Sequence, residues 1–111
     1  MKNLTDIPTE LTHNGTTHVK RLLPPDPSRM GSIATMNYAW LDPGKQLTPH
    51  IHPDGEEYYL ILEGMGSMLI DTQWIPVQKE SFIIIPVGKT HAVKNTGDTS
   101  LTFVTVRTVQ K

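Results

Sequence analysis

The sequence contains no cysteine among its 111 residues. Disulfide frameworks, thiolate zinc sites, iron–sulfur clusters and cysteine nucleophiles are therefore excluded. Any metal ion has to be bound by nitrogen and oxygen ligands. The chain also lacks an excess of charge of one sign, since 10 Lys and Arg residues stand against 11 Asp and Glu residues. Because phosphate backbones are bound through a positive field, we predict that nucleic acid is not a partner.

Long hydrophobic runs are missing as well. No apolar run approaches the roughly 20 residues of a membrane span, and residues 1–10 lack the apolar stretch of a signal peptide. We therefore predict no membrane partner and a cytoplasmic location. With a mass of 12.4 kDa and 37% hydrophobic residues, the chain has the size and composition of one domain that folds without covalent cross-links.

Two regions differ in composition. Residues 1–28 are polar and interrupted by prolines, and only residues 17–23 have the composition of a short strand. We predict an N-terminal arm over residues 1–28 and one β-barrel domain over residues 29–111. The arm is expected to cover an edge of the barrel or to reach a second subunit.

The barrel region is rich in residues that favour strands. Between residues 81 and 109, 16 of 29 residues are Val, Ile, Thr or Phe. Clusters of Gly, Pro, Asn and Asp interrupt the sequence at short intervals and indicate hairpin turns, which favours an all-β sandwich or barrel. The predicted strands cover residues 32–41, 48–52, 57–63, 66–71, 81–85, 91–95 and 100–109.

A pair of histidines gives the first indication of chemistry. His50 and His52 are two residues apart, so on a strand they project from the same face, with their Cα atoms about 6 to 7 Å apart. After a predicted turn, Glu57 begins the next strand, and we expect it beside the two imidazoles on an adjacent rung of the same sheet. Glu56 is the competing carboxylate, but its alternation places it outward.

A second cluster lies near the end of the chain. An apolar strand ends at Pro86-Val87-Gly88, and His91 begins the next strand. Taken alone, such a histidine is more often a polar residue at a barrel rim than a metal ligand.

Together the two clusters resemble the paired signatures of the cupin superfamily. Nine of ten signature positions match in residue type and spacing; the exception is Glu80, where a glycine is expected. The first signature is matched by Gly44, His50, His52, Glu57 and Gly64. The second is matched by Pro86, Gly88, His91 and Asn95.

The resemblance implies a small single-domain microbial cupin of the cupin 2 conserved-barrel type. Its fold would be a double-stranded β-helix, or jelly roll, with a metal inside the barrel mouth. The ligands carried over from the family are His50, His52, Glu57 and His91. They would bind one divalent transition metal per chain, with Fe, Mn, Ni and Zn all open. Four protein ligands leave one or two positions for a substrate on a five- or six-coordinate ion.

The other candidate residues receive weaker predictions. The remaining histidines, His13 and His18, are expected to be solvated residues of the arm. Aromatic and apolar side chains that could line the barrel are more often core, namely Tyr38, Trp40, Tyr59, Met68 and Ile83. Ser67 and Thr90 are undirected hydrogen-bond donors. Arg107 is expected to be a surface charge rather than a partner of an anionic substrate.

Two functions remain open. The first is a metal-dependent enzyme of the dioxygenase or isomerase type that acts on a small molecule; its catalytic residues beyond the metal ligands are unknown, with Tyr38, Tyr59 and Glu56 as candidates. The alternative is a non-catalytic barrel that binds a sugar or a phenolic compound, in which the metal orients the ligand or stabilises the fold. We also predict a homodimer, because open sheet edges favour pairing with a second copy.

Overall fold

Ten β-strands make up most of the chain in the computed structural model, which describes residues 1–110. A single 3-10 turn at Leu4–Asp6 precedes them. The strands are β1 (Glu10–Thr12), β2 (Thr17–Leu23), β3 (Ile33–Leu41), β4 (Gln46–His50), β5 (Glu57–Glu63), β6 (Met65–Ile70), β7 (Gln73–Gln78), β8 (Phe82–Ile85), β9 (His91–Asn95) and β10 (Leu101–Thr108). Within residues 1–110, no helix has the length and apolar character needed to cross a membrane.

The strands form two antiparallel sheets whose inner faces share one core. The larger sheet has the order β1-β2-β3-β10-β5-β8, and the smaller has the order β4-β9-β6-β7. From β3 onward the chain changes sheet at every connection except the one between β6 and β7. This arrangement confirms the predicted all-β jelly roll.

The predicted hairpin turns are wrong in one respect. Residues 42–44, 53–55, 86–88 and 95–98 do reverse the chain, but each joins strands of different sheets. The only hairpin in this part of the chain is β6–β7, at Asp71 and Thr72. Gly, Pro, Asn and Asp permit a sharp change of direction, but they do not determine which strand pairs with which.

Strand β7 was not among the strands predicted from the sequence. Pro76 lies in the middle of β7, and a proline cannot donate to a ladder of hydrogen bonds. The strand tolerates it because β7 forms the edge of the smaller sheet and pairs only with β6.

Residues of the predicted arm contribute two strands to the larger sheet. The strand predicted over residues 17–23 is confirmed as β2, which pairs with β3 and in turn carries the short strand β1. The predicted boundary at residue 28 lies between β2 and β3, and the division into arm and barrel stays a prediction.

The interior changes from apolar to polar along the strands. Leu41 of β3 lies opposite Leu101 of β10, and both are fully buried. At the other end of β10, Arg107 lies opposite Glu57 of β5. The apolar end supplies the hydrophobic core, so the polar end is free to carry a site.

Glu80 occupies the position where the family signature has glycine. Its φ is +74°, in the left-handed region. The residue is exposed and lies in the turn between β7 and β8. The backbone N–H of Glu80 donates to the carbonyl of Ile61 at 2.8 Å, which fixes this conformation. A residue with a Cβ atom pays about 1–2 kcal/mol in this region.

We expect Glu80→Gly to stabilise the protein by about 0.5–1 kcal/mol. Glycine removes the backbone strain, and the higher conformational entropy of the unfolded chain cancels part of this gain. Urea unfolding of metal-free protein measures the difference. Glu80→Ala is the control, since alanine keeps the Cβ atom, and it should give no such gain. A destabilised Glu80→Gly variant would contradict this account of the turn.

Candidate metal centre

The four predicted ligands meet at the polar end of the barrel and come from both sheets. His50 ends β4, and His91 begins β9 directly opposite it in the smaller sheet. His52 lies two residues beyond the end of β4, so the strand predicted to run through it is shorter than expected. Glu57 begins β5 in the larger sheet. The expectation that Glu57 lies on an adjacent rung of the same sheet is therefore wrong, because the connection from β4 to β5 crosses between sheets.

The three imidazoles converge on one carboxylate oxygen. Glu57 Oε1 lies 2.8 Å from His91 Nε2, 3.4 Å from His52 Nε2 and 4.0 Å from His50 Nε2. His91 is fully buried and Glu57 is 7% exposed. The cluster is thus enclosed on the side of the core and accessible from the mouth.

Backbone carbonyls orient two of the rings. His50 Nδ1 donates to the carbonyl of Thr48 at 2.8 Å, and His91 Nδ1 donates to the carbonyl of Lys89 at 3.2 Å. In each case the acceptor lies two residues before the histidine. With Nδ1 protonated in this way, Nε2 is left to face the centre of the cluster, as a metal ligand requires.

The short contact between His91 and Glu57 requires a hydrogen. A nitrogen lone pair and a carboxylate oxygen repel each other at 2.8 Å, and the other nitrogen of His91 is already committed to Lys89. A metal ion bound by the same two atoms would take the place of this hydrogen.

Burial and the imidazoles shift the pKa values of the site in a consistent way. Burial alone raises the pKa of Glu57, but hydrogen bonds from His52 and His91 and their charges outweigh it and lower the pKa to about 2. Burial lowers the pKa of His50 to about 4, and the hydrogen bond to the Thr48 carbonyl offsets only part of this effect. At neutral pH the site thus presents an ionised carboxylate and a neutral His50, both of which are in their metal-binding forms.

The residues fit a single transition-metal ion. One potential ligand atom from each of His50, His52, Glu57 and His91 lies within 4.8 Å of the others. Ligands about 2.1 Å from an ion lie at most about 4.2 Å apart, so movements of fractions of an ångström would bring all four to bonding distance. Three imidazoles and one carboxylate form a nitrogen- and oxygen-based donor set that suits Fe, Mn, Ni or Zn.

A cavity of about 220 Å³ opens beside the cluster. Three of the four ligands line it, and its other walls come mainly from the inner face of the larger sheet. Tyr59 is among them: it lies next to Glu57 on this face and is 1% exposed. Burial and the Glu57 carboxylate, to which its hydroxyl is hydrogen-bonded, raise the pKa of Tyr59 well above its usual value. Tyr59 therefore holds its proton at neutral pH and helps to position Glu57.

Several other candidates lie away from this cavity. Tyr38 and Trp40 project from the opposite side of β3, where their rings pack edge to face. Glu56 accepts a hydrogen bond from the Tyr58 hydroxyl at 2.8 Å. Met68 and Ile83 are buried in the core, and the Ser67 hydroxyl donates to the carbonyl of Ile75.

The expectation for His13 is wrong. His13 is half-buried, lines the cavity and lies 5.2 Å from His50 between ring centroids. Its Nδ1 is 3.2 Å from the hydroxyl of Thr48, and its φ of +52° places it in the turn between β1 and β2. His18, by contrast, stays outside the site, where it stacks on Trp40 and contacts Asp42. The sequence does not reveal that the β1–β2 turn contacts β4, where Thr48 lies, and this contact sets His13 beside His50.

Arg107 is only in part the predicted surface charge. Its side chain is 30% exposed and pairs with Asp54, but it also lines the cavity, and its Nε atom is buried. Its position follows from alternation along β10, where Leu101, Phe103 and Thr105 also face inward. The sequence alone does not show which face of β10 points inward, because Val104 and Val106 on the other face are also apolar.

We expect the metal-free protein to lose stability as the pH falls from 6.5 to 4. The pKa of His50 is about 4 in the folded protein and 6.5 in the unfolded chain, so in this range the unfolded chain binds more protons. The loss should be on the order of 2–3 kcal/mol. The lowered pKa of Glu57 acts in a different window, from about 4.5 downward.

Urea unfolding in the presence of a chelator, repeated between pH 4 and pH 7, measures this dependence. In His50→Gln the fall between pH 6.5 and 4 should be much smaller, and the part that remains is expected from His13, whose pKa is also lowered by burial. His18→Gln should keep the full fall. Equal slopes for wild type and His50→Gln would show that His50 is not the group responsible.

Comparison with known proteins agrees with this geometry. The family model of the cupin domain matches residues 38–107, which is more than half of the chain. The oxalate-binding protein of Thermotoga maritima is 32% identical over 66 residues, covering 60% of this chain and 54% of that protein. The polyketide synthase CurC of Streptomyces cyaneus is 30% identical over 63 residues, covering 57% of this chain and 41% of that protein. A glucose-6-phosphate isomerase of Pyrococcus horikoshii is 32% identical over 62 residues, or 51% of this chain and 33% of that enzyme. The chain thus spans about half or less of the length of these relatives.

Solved structures share the fold over nearly the whole chain. A predicted oxalate decarboxylase from Thermotoga maritima superposes with a TM-score of 0.90 at 23% identity, covering 99% of each chain. The polyketide cyclase RemF from Streptomyces resistomycificus superposes with a TM-score of 0.79 at 20% identity, covering 99% of this chain and 79% of RemF. The two-sheet barrel, the histidine and glutamate cluster at its polar end and the family match lead to one conclusion: the chain belongs to the cupin domain family.

Proposed function

We propose that this cupin binds one divalent transition metal through His50, His52, Glu57 and His91 and acts on a small molecule in the adjacent cavity as a metal-dependent enzyme. The observation that carries the proposal is the convergence of three imidazole Nε2 atoms on Glu57 Oε1, between 2.8 and 4.0 Å away. The reaction classes we favour are isomerisation and oxygenation. Both need an ion that keeps open positions, which four protein ligands leave on a five- or six-coordinate ion.

The ion would supply a Lewis-acidic centre at which a substrate or dioxygen can be polarised. The chain's own residues have separate roles. His50 and His91 present Nε2 to the ion because backbone carbonyls hold their Nδ1 atoms. Tyr59 supports Glu57 from the core side, and the apolar ring of Phe103 closes the floor of the cavity.

The size of the cavity limits the substrate. A volume of about 220 Å³ corresponds to roughly seven water molecules. The proposed substrate is therefore a small molecule, of about that many non-hydrogen atoms where it is enclosed. Among relatives, one is named as an isomerase of a sugar phosphate and another as a binding protein for oxalate. These names support a small oxygen-rich molecule as the class of ligand.

The second candidate function is binding without turnover. One relative is named an oxalate-binding protein, and a solved neighbour with the same fold is titled a predicted oxalate decarboxylase. The family thus includes proteins named for binding and proteins named for catalysis. In the binding function, the ion would orient the ligand or stabilise the polar end of the barrel.

We expect protein purified without chelators to contain about one transition-metal ion per chain by elemental analysis. His52→Ala should lower the metal content more than tenfold after dialysis, because it removes one of the four ligands. Since His52 is only partly buried, the substitution should leave the fold intact. His91→Gln tests a second ligand, and its glutamine preserves much of the buried volume. His18→Ala is the matched control and should retain the metal. Wild-type metal content well below one per chain, unaffected by either ligand variant, would refute the metal site.

A turnover screen separates the two functions. Keto sugars, diketones and catechols are incubated with the protein loaded with Fe(II), Mn(II) or Ni(II), and products are followed by mass spectrometry. Metal-dependent turnover that His52→Ala loses and His18→Ala keeps supports the enzyme. Binding of such compounds without any product, at full metal loading, favours the binding function.

We further propose that the chain forms a homodimer through β8 and the outer face of β5. Strand β8 is an edge of the larger sheet, and large apolar side chains on these two strands are exposed: Phe82 by 61%, Ile84 by 50% and Leu60 by 41%. An edge strand bearing such residues favours pairing with a second copy.

Light scattering is expected to give twice the 12.4 kDa mass of the chain. Phe82→Lys should shift the protein to the monomer, whereas Trp74→Lys, on the edge strand of the other sheet, should not. A monomer mass for the wild-type protein at micromolar concentration would contradict the dimer.

A further inference from the structure

A second polar group faces the cavity beside the metal ligands. On the inner face of the larger sheet, Arg107 of β10 lies directly opposite Glu57 of β5 and, on its other side, opposite Thr35 of β3. One inward position deeper, Thr105 lies opposite Asn37. The register of three strands thus places Arg107 next to the Glu57 carboxylate and Asn37 beyond it on β3, and all five side chains line the same cavity.

Arg107 is held in place from outside and has one buried donor without a partner. Its Nη2 atom donates to both oxygens of Asp54, at 3.0 and 3.2 Å, and Asp54 lies in the connection between His52 and Glu57. Its Nε atom is buried and has no hydrogen-bond partner among residues 1–110. Asp54 therefore fixes the guanidinium through Nη2, while the buried Nε–H of this cavity-lining residue is left without a partner.

Asn37 offers the complementary group. Its Oδ1 atom is buried and has no hydrogen-bond partner in the described part of the chain. Buried polar atoms without partners are rare in native proteins because leaving them unpaired costs stability. A donor and an acceptor of this kind on neighbouring strands of one cavity wall match a ligand that accepts a hydrogen bond from Arg107 and donates one to Asn37.

The charges favour an acidic ligand. A divalent ion bound to Glu57 would leave a net charge of about +1 at the site. The guanidinium of Arg107 lies beside it, with its own charge balanced by Asp54. Arginine donors recognise carboxylates with charge-assisted hydrogen bonds. The cavity volume of about 220 Å³ admits such an acid only if it is small.

We infer that Arg107 and Asn37 form a recognition site for one end of a small hydroxycarboxylic acid. Arg107 Nε–H donates to the carboxylate, and a hydroxyl group of the ligand donates to Asn37 Oδ1. The inference rests on the proposed function, since it places another oxygen group of the same ligand at the metal cluster. Arg107 and Asn37 are recognition residues here and take no part in bond making.

The test uses malonate, its monomethyl ester and hydroxymalonate as probes, with calorimetric titration of metal-loaded protein whose metal content has been measured. Wild type should bind malonate roughly tenfold or more tighter than the ester, because the ester lacks a second carboxylate. It should bind hydroxymalonate several-fold tighter than malonate. Arg107→Met should abolish the first preference, and Asn37→Leu should abolish the second.

Two further variants separate recognition from loop positioning. Asp54→Asn weakens the outer ion pair but leaves the Nε–H of Arg107, so it should keep most of the preference for malonate over the ester. Arg107→Lys retains the charge and should keep an intermediate preference, which also covers the case in which Arg107→Met does not fold. If Asp54→Asn loses the preference as fully as Arg107→Met does, Arg107 acts by holding the connection after His52, and the inference is overturned.

The outcomes distinguish this inference from the proposed function. Full metal loading with no preference for malonate over the ester, or a preference that Arg107→Met leaves unchanged, overturns the inference alone. Absence of metal binding overturns the proposed function. In that case, titrations of the metal-free protein test the role of Arg107. The preference for malonate over the ester should persist in weaker form and should depend on Arg107. If the metal-free protein shows no such preference, the inference is overturned as well.

Discussion

Glu57 carries a charge into the space between two sheets, and the polar end of the barrel is arranged around that charge. Burying a carboxylate without partners costs several kcal/mol, so the protein has to surround it with donors. His91, His52 and His50 approach the same oxygen atom from the other side of the barrel. The hydrogen bonds and charges of the histidines more than offset the burial, as the lowered pKa of Glu57 shows. The same arrangement that makes the carboxylate tolerable also assembles a metal-ligand set.

The grouping of His50, His52, Glu57 and His91 was predicted from the sequence through the resemblance of two short clusters to a known signature. Alternation along a strand predicted only that His50 and His52 share one side, and His52 lies beyond the end of β4. Glu57, Tyr59 and Ile61 alternate with less buried neighbours as expected for one inward face. Such alternation follows from the geometry of a single strand and does not require knowledge of how the strands pair.

The rest of the site depends on pairing, and there the sequence was insufficient. Turn residues at positions 53–55 predicted a hairpin, although the chain crosses there from one sheet to the other. Pro76 concealed a strand that an edge position permits. His13 lines the cavity because the β1–β2 turn contacts Thr48 of β4. The inward direction of Arg107 was not evident because both faces of β10 carry apolar residues. Non-local register, which no short pattern encodes, decides each of these cases.

Sheet register also connects the histidine and glutamate cluster to the cavity. The pairing of β5 with β10 sets Arg107 beside Glu57, and the pairing of β10 with β3 sets Asn37 beyond it. The apolar layer at the opposite end of the same strands provides the core on which this polar surface rests. A small barrel can therefore combine an apolar core and a polar site within single strands.

The central claim is that four side chains from two sheets bind one ion through Glu57 and the Nε2 atoms of three histidines. A crystal structure of the protein as purified, with anomalous diffraction data collected on both sides of the absorption edge of the bound metal, tests this most directly. The account predicts one anomalous peak per chain, at bonding distance from His50, His52 and His91 Nε2 and from Glu57. A peak ligated elsewhere, coordination through Nδ1, or full-occupancy protein crystals without a peak at this cluster would contradict it.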